Sequence, residues 1–318
     1  MNLRFEYICA LFALVPLTIE SVFAQEATLS RPKRASSQQR PLSTQPQTHR
    51  LWAADAPGAL GTDDKDVPTA IVYLPQQATE KTGAIVIYPG GGYGGLAMDH
   101  EGHQIAKWAN DMGMAGIIVS YRHRGRGYGH PAPMLDAQRA IRLTRERAAD
   151  WNIDPQKVGV LGFSAGGHLT TTVLTHFDGG NPNAADPIDR QSCRPSFGIV
   201  CYAVIAFDQE YTHRGSQRNL LGDDASAELI ASLSNEQQVT PQTPPCFVWH
   251  TAEDKAVPAE NSLRFYSALV QNKVPAELHI FAKGRHGIGL AASVPGADQW
   301  PKLCQKWLVR GGFSHAIE

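Results

Sequence analysis

Apolar residues cluster in seven short runs: 69–74 (TAIVYL), 84–88 (AIVIY), 115–121 (AGIIVSY), 157–162 (KVGVLG), 198–205 (GIVCYAVI), 245–250 (PCFVWH) and 276–281 (AELHIF). Their length and their content of β-branched residues predict strands. Several are nearly continuous in apolar residues rather than alternating, the pattern of a strand covered on both faces. Between them, apolar positions recur at helical spacing over 101–112, 132–150, 165–176, 226–233, 259–272 and 298–310. Strands alternating with helices predict an α/β fold with a mainly parallel central sheet and helices on both faces. The turn-rich stretch 178–197 reads as an excursion over the sheet edge. The stretch 207–240 reads as an insertion carrying a short helix.

The first residues follow a different pattern. Arg4 precedes the short apolar run ICALFALVPL (8–17), and VFA (22–24) ends in a small residue suited to cleavage after Ala24. This predicts an export signal over 1–24 and a periplasmic or extracellular protein. Residues 25–50 are rich in Ser, Gln and Pro and nearly devoid of large apolar side chains. Such a stretch buries too little surface to offset its ordering entropy, so a disordered linker is expected there. The globular domain is expected over 51–318.

Composition narrows the function classes. The formal net charge is -1, which gives no basic field for nucleic acid. After signal removal Cys193, Cys201, Cys246 and Cys304 remain, without CxxC spacing, and free buried thiols are the plainer reading. HEGH (100–103) places its histidines three residues apart, whereas the zinc helix needs HExxH with four. No metal and no organic cofactor are expected.

The segment VGVLGFSAGGHL (158–169) runs from a predicted strand through Gly162-Phe163-Ser164-Ala165-Gly166 into a predicted helix. GxSxG in that setting is a nucleophile elbow: the hydroxyl projects at the carboxyl edge of the sheet, and the neighbouring glycines permit the sharp turn. The competing reading is a tight turn with a capping serine. YPGGGYGG (88–95) follows an earlier strand, and the backbone amides of Gly91 and Gly92, together with Ala165, are candidate oxyanion donors. A phosphate loop is disfavoured there, because no Gly-Lys-Ser/Thr follows. In this chain order the acid follows the nucleophile and the base follows the acid. HTAEDKAVP (250–258) offers Asp254, with Glu253 as its rival, and KGRHGIGL (283–290) offers His286. Tyr93, next to the glycine loop, is a candidate substrate contact, with plain packing as the competing reading. His100, His103, His123 and His130 fall near the expected pocket mouth, and His168 is expected to pack or cap locally. Asp136, Arg139 and Arg142 are expected to form ion pairs.

Taken together, YPGGGYGGLAMDHEG, SYRHR, HPAPMLDAQRAIR, WNIDPQKVGVLGFSAGGHL, TPPCFVWHTAEDKAVPAENS and GRHGIGLA resemble bacterial α/β-hydrolases of the acetyl xylan esterase and feruloyl-esterase-like (BD-FAE-like) group. The resemblance covers about residues 51–311. It implies an α/β-hydrolase fold, a Ser164–His286–Asp254 triad, and an oxyanion hole at Gly91, Gly92 and Ala165. The aspartate followed by Lys-Ala-Val-Pro resembles the acid loop of that fold. Pro89 stands where related lipases carry histidine. The implied activity is that of a secreted serine carboxylesterase removing short acyl groups from an acylated sugar or polysaccharide, with no cofactor and no membrane attachment after signal cleavage. Two alternatives remain: a serine peptidase of the same fold, and a catalytically silent module binding carbohydrate or protein. A glycoside hydrolase would need two carboxylates paired across the scissile bond, and no such pair stands out.

Overall fold

The computed structural model describes residues 45–76 and 80–315. The proposed signal and most of the proposed linker lie outside these residues. In chain order the elements are β1 (Gln47–Arg50), β2 (Thr69–Tyr73), β3 (Thr82–Tyr88), α1 (Gln104–Asp111), β4 (Ala115–Ser120), α2 (Ala132–Glu146), β5 (Ile153–Phe163) and α3 (Ser164–Thr175). They continue with β6 (Gly198–Cys201), α4 (Arg214–Leu221), α5 (Ala227–Ser232), β7 (Cys246–Thr251), α6 (Glu260–Gln271), β8 (Ala276–Phe281) and α7 (Trp300–Arg310). The sheet runs β1-β2-β4-β3-β5-β6-β7-β8. β1–β2 and β2–β4 pair antiparallel, and every pair from β4–β3 onward is parallel. This is the expected α/β architecture.

The continuous apolar strands work as the pattern implies. Along β3, Ala84, Val86 and Tyr88 face one layer while Ile85 and Ile87 face the other, all with no solvent exposure. The first layer holds Ala137 and Ile141 of α2, Leu169 and Val173 of α3, and Phe265 and Leu269 of α6. The second holds Ile105 and Ala109 of α1, and Trp300, Trp307 and Leu308 of α7. Fully burying one such Ile or Leu contributes about 1.5–3 kcal/mol, so both layers anchor the sheet whose edge carries the site. Cys193, Cys201, Cys246 and Cys304 are free and buried. Burial holds the thiols of Cys201, Cys246 and Cys304 well above their ordinary value, so none is a ready thiolate.

Three elements depart from the sequence reading. β1 takes 47–50 (QTHR), residues assigned to the linker, and pairs with β2 at the sheet edge. An edge strand exposed along most of its length needs no apolar side chains, so hydropathy cannot flag it. The run 198–205 is strand only to Cys201; the backbone turns at Tyr202 (φ 32), and Ala203 to Phe207 continue as buried loop. Inside 207–240 there are two α-helices, α4 and α5, where one was expected.

The ions of α2 pair outward to other elements rather than with one another. Arg142 pairs with Asp178, Arg139 with Asp186 and Asp189, and Asp136 with Arg122. The last pair is fully buried: Arg122 Nη2 stands 2.7 Å from Asp136 Oδ1, and Arg122 Nη1 donates to the Pro57 carbonyl at 2.9 Å. The guanidinium lies against the Trp52 and Tyr128 rings. Removing one partner strands the other charge without water. Asp136→Ala is therefore expected to cost about 3–5 kcal/mol, read as a lower midpoint in urea unfolding.

Candidate active site

The turn from β5 into α3 holds Ser164 at φ 54, a left-handed conformation that costs a non-glycine residue about 1–3 kcal/mol. Packing enforces it. A Cβ on Gly166 would stand 2.0 Å from the Tyr88 carbonyl, so α3 can approach β3 only with glycine there. The hydroxyl thereby projects at the carboxyl edge of the sheet, where the β3, β7 and β8 loops also end.

Those loops bring two further groups to it. Ser164 Oγ donates to His286 Nε2 at 2.8 Å, and His286 Nδ1 donates to Asp254 Oδ2 at 2.6 Å. Asp254 leaves the end of β7, and its Oδ1 accepts the amides of Ala256 (3.0 Å) and Val257 (2.9 Å). Burial pushes the Asp254 carboxyl up. Hydrogen bonds from His250, His286 and the Val257 amide outweigh this and hold it well below the usual carboxylate range. Glu253, the rival, points outward to Lys283 Nζ at 2.7 Å and is too exposed to orient an imidazole. The structure thus brings Ser164, His286 and Asp254 together and sets Glu253 apart.

The glycine loop runs beside the same turn, a Cβ on Gly90 standing 3.0 Å from Ser164 Cβ. Gly91 adopts φ 132 and Gly92 φ 63, and a Cβ on Gly91 would strike the Gly95 carbonyl at 2.2 Å. Among the described residues, the amides of Gly91, Gly92 and Ala165 donate to no other group. They are free for an oxygen placed above Ser164. Asn219 of α4 donates to the Gly92 carbonyl at 2.8 Å and holds the loop from the far side. The cleft beside His286, of about 570 Å³, is lined by Glu253, Lys255, Ala256, Arg285 and His286.

For Tyr93 the structure shows the packing reading and not the substrate contact. At φ 56 its side chain turns inward, 1% exposed, and its hydroxyl donates to His168 Nδ1 at 2.8 Å. It braces the glycine loop from the core instead of facing a substrate. His168 in turn donates from Nε2 to the Leu233 carbonyl at 2.9 Å, and burial pulls its pKa down to about 3. Of the histidines placed near the mouth, His100 lines a second cleft with Arg285 and Gly287. His103 instead bonds Tyr73, and burial lowers His123 to about 4.

Sequence reasoning missed three contributors. His250 is wholly buried, with Nε2 3.4 Å from Asp254 Oδ2 and donating to the Val257 carbonyl at 2.8 Å; only its four-residue spacing from Asp254 hinted at this. Glu101 and Tyr202 bond each other beneath the glycine loop, and nothing in their sequence spacing signals that contact. Among the described residues, no three His, Cys, Asp or Glu side chains gather as a metal site. No helix there is long and apolar enough to cross a membrane.

The arrangement can activate a hydroxyl, shuttle its proton and hold a developing oxyanion, the requirements of acyl transfer. The sequence model of the BD-FAE family matches residues 71–269. An endo-1,4-beta-xylanase B of Butyrivibrio fibrisolvens is 38% identical over 230 residues, 71% of this chain and 35% of its own length. An acetylxylan esterase of Xylanibacter ruminicola is 32% identical over 255 residues, 78% of this chain and 49% of its own. The chain therefore spans about a third to a half of the length of these curated relatives. The crystal structure of an acetyl ester-xyloside bifunctional hydrolase from Caldicellulosiruptor lactoaceticus is similar with a TM-score of 0.79 at 43% identity, over 84% of this chain and 97% of that one.

Proposed function

The chain belongs to the BD-FAE family and adopts the α/β-hydrolase fold, and on that premise we propose that it is a serine carboxylesterase acting on carbohydrate esters. The substrates proposed are short acyl esters, acetyl foremost, of xylan or xylo-oligosaccharides. Support comes from relatives named for acetylxylan and acetyl ester-xyloside hydrolysis. The observation that carries the reading is the unbroken hydrogen-bond chain Ser164–His286–Asp254, facing free amides.

Ser164 attacks the ester carbonyl as its proton passes to His286 Nε2. The amides of Gly91, Gly92 and Ala165 receive the oxyanion, each donor worth about 3–4 kcal/mol of barrier. Asp254 keeps the imidazole proton on Nδ1 and favours the imidazolium that forms. His286 then protonates the departing sugar oxygen, leaving an acyl-Ser164 ester. Water, deprotonated by His286, clears it and releases the acid. Every proton lost by Ser164 or water is returned by the same imidazole, so the cycle closes without a cofactor.

Residues 1–24 are proposed as a cleaved export signal, the segment from 25 up to β1 as a linker, shortened from the expected 25–50 because β1 begins at Gln47, and the chain from β1 onward as one catalytic domain. The intact mass of exported protein should begin at Gln25; retention of Met1 would overturn the signal. Function is tested by acetate release from acetylated xylan and xylo-oligosaccharides, ferulate release from methyl ferulate, and hydrolysis of p-nitrophenyl acetate through octanoate. Acetate release with preference for the shortest chain is expected. Peptide hydrolysis without ester hydrolysis, or no turnover at all, would defeat the proposal.

A further inference from the structure

HEGH, set aside as a zinc motif, contains a carboxylate that the chemistry above does not use. We propose that Glu101 is a positioning residue, holding the oxyanion loop and the His286 loop in register through one buried hydrogen-bond network. This rests on the esterase reading. Glu101 is 3% exposed. Its Oε2 accepts the Gly90 amide at 2.8 Å, immediately before the two oxyanion glycines. Its Oε1 accepts the Tyr202 hydroxyl at 2.8 Å. The Tyr202 oxygen accepts the Gly289 amide at 2.9 Å, three residues beyond His286, and Trp300 Nε1 fixes the Gly289 carbonyl at 3.0 Å.

Both loops therefore end on one carboxylate. The network also touches the reacting groups from behind. The Tyr202 ring packs edge-on against His286 with centroids 5.1 Å apart. The position a Cβ would take on Gly90 lies 2.5 Å from Glu101 Oε2 and 3.0 Å from Ser164 Cβ, so the carboxylate sits directly under the nucleophile turn.

Chemistry explains why an acid is retained in so dry a place. Burial raises the Glu101 pKa, and the bonds from Tyr202 and the Gly90 amide work against that rise; in its ionised form the carboxylate is acceptor-only and takes the Gly90 N–H and the Tyr202 O–H at once. Glutamine has one acceptor oxygen; its NH2 group must face one of those two donors. Hydrogen bonds to an ionised acceptor are shorter and stronger than neutral ones, which suits a clamp between loops. Among the described residues no hydrogen bond runs directly between 88–95 and 283–290, so the link passes through Glu101 and Tyr202. Loss of the clamp should therefore misplace the oxyanion donors relative to His286, and a shift on the order of 1 Å costs about 100-fold in rate.

The test compares wild type, Glu101→Gln and Tyr202→Phe on p-nitrophenyl acetate. It also measures inhibition by an alkyl trifluoromethyl ketone, which adds to a serine hydroxyl and places a tetrahedral oxyanion in the hole. Each variant is expected to lower kcat about 10- to 100-fold with KM within about twofold, and to weaken ketone inhibition by a similar factor. A merely structural role would lower the Tm without separating kcat from KM or weakening the tetrahedral adduct. Should Glu101→Gln fail to fold, Tyr202→Phe, lacking one oxygen atom, carries the test. An active wild type with both folded variants retaining its kcat and ketone affinity would overturn this proposal alone. A wild type inert toward ester and ketone would overturn the esterase reading and this proposal with it.

Discussion

Ser164→Ala is expected to lower kcat for p-nitrophenyl acetate by about 10⁵- to 10⁶-fold while the protein stays folded. The residue contributes no packing that alanine lacks, since only the oxygen bonded to His286 is removed. The φ of 54 is retained in the variant, because the turn is enforced by Gly166 and by the backbone of β3 rather than by the hydroxyl. The free amides of Gly91, Gly92 and Ala165 survive, so weak binding and some residual rate above water are expected to remain. Pre-steady-state release of p-nitrophenol checks this directly. Wild type should show acyl-enzyme formation, and the variant none. A variant with wild-type turnover would remove Ser164 from the mechanism.

Asp254→Asn is expected to cost about 10⁴-fold in kcat near neutral pH. The amides of Ala256 and Val257 hold one oxygen of this side chain in place. An asparagine anchored there would turn its NH2 toward His286 Nδ1, at the 2.6 Å contact now made by a carboxylate oxygen. The imidazole would then carry its proton on Nε2 and could not receive one from Ser164. The same substitution changes stability with a definite sign. Asp254 is held well below its ordinary value in the fold, its burial being outweighed by the bonds from His250, His286 and Val257. A depressed acid stabilises the native state fully above its unfolded pKa of about 4 and loses that contribution as pH falls below it. Wild type should thus lose stability steeply from pH 4 downward in urea titrations, and Asp254→Asn less steeply. Parallel curves would show that the carboxylate is not specially stabilised.

The elbow was legible because its requirements are local: a strand, two glycines, a serine and a helix within 158–169. The apolar runs were legible because β3 and its neighbours are covered on both faces. The choice between Glu253 and Asp254 is different in kind. Both lie in the turn beyond Thr251, the last residue of β7, where strand alternation no longer applies; Asp254 is held inward by the Ala256 and Val257 amides on its Oδ1, while Glu253 reaches out to Lys283. Tyr93 shows the limit most clearly. Its place after the glycines was right, but its direction is set by a positive φ that tyrosine rarely adopts and by a partner, His168, 75 residues away. Glu101 and Tyr202, separated by 101 residues, meet only because β3 and β6 flank β5 in the sheet. Local pattern carries the chain as far as the sheet edge; the contacts that aim the side chains there come from strand order.

The most direct measurement exposes the protein to a fluorophosphonate that phosphonylates activated serines with loss of fluoride, followed by intact mass and peptide mapping. One adduct per chain, confined to the peptide bearing Ser164 and rising in step with loss of ester hydrolysis, is the predicted result. Full labelling at another residue, or undiminished hydrolysis once Ser164 is blocked, would contradict the account.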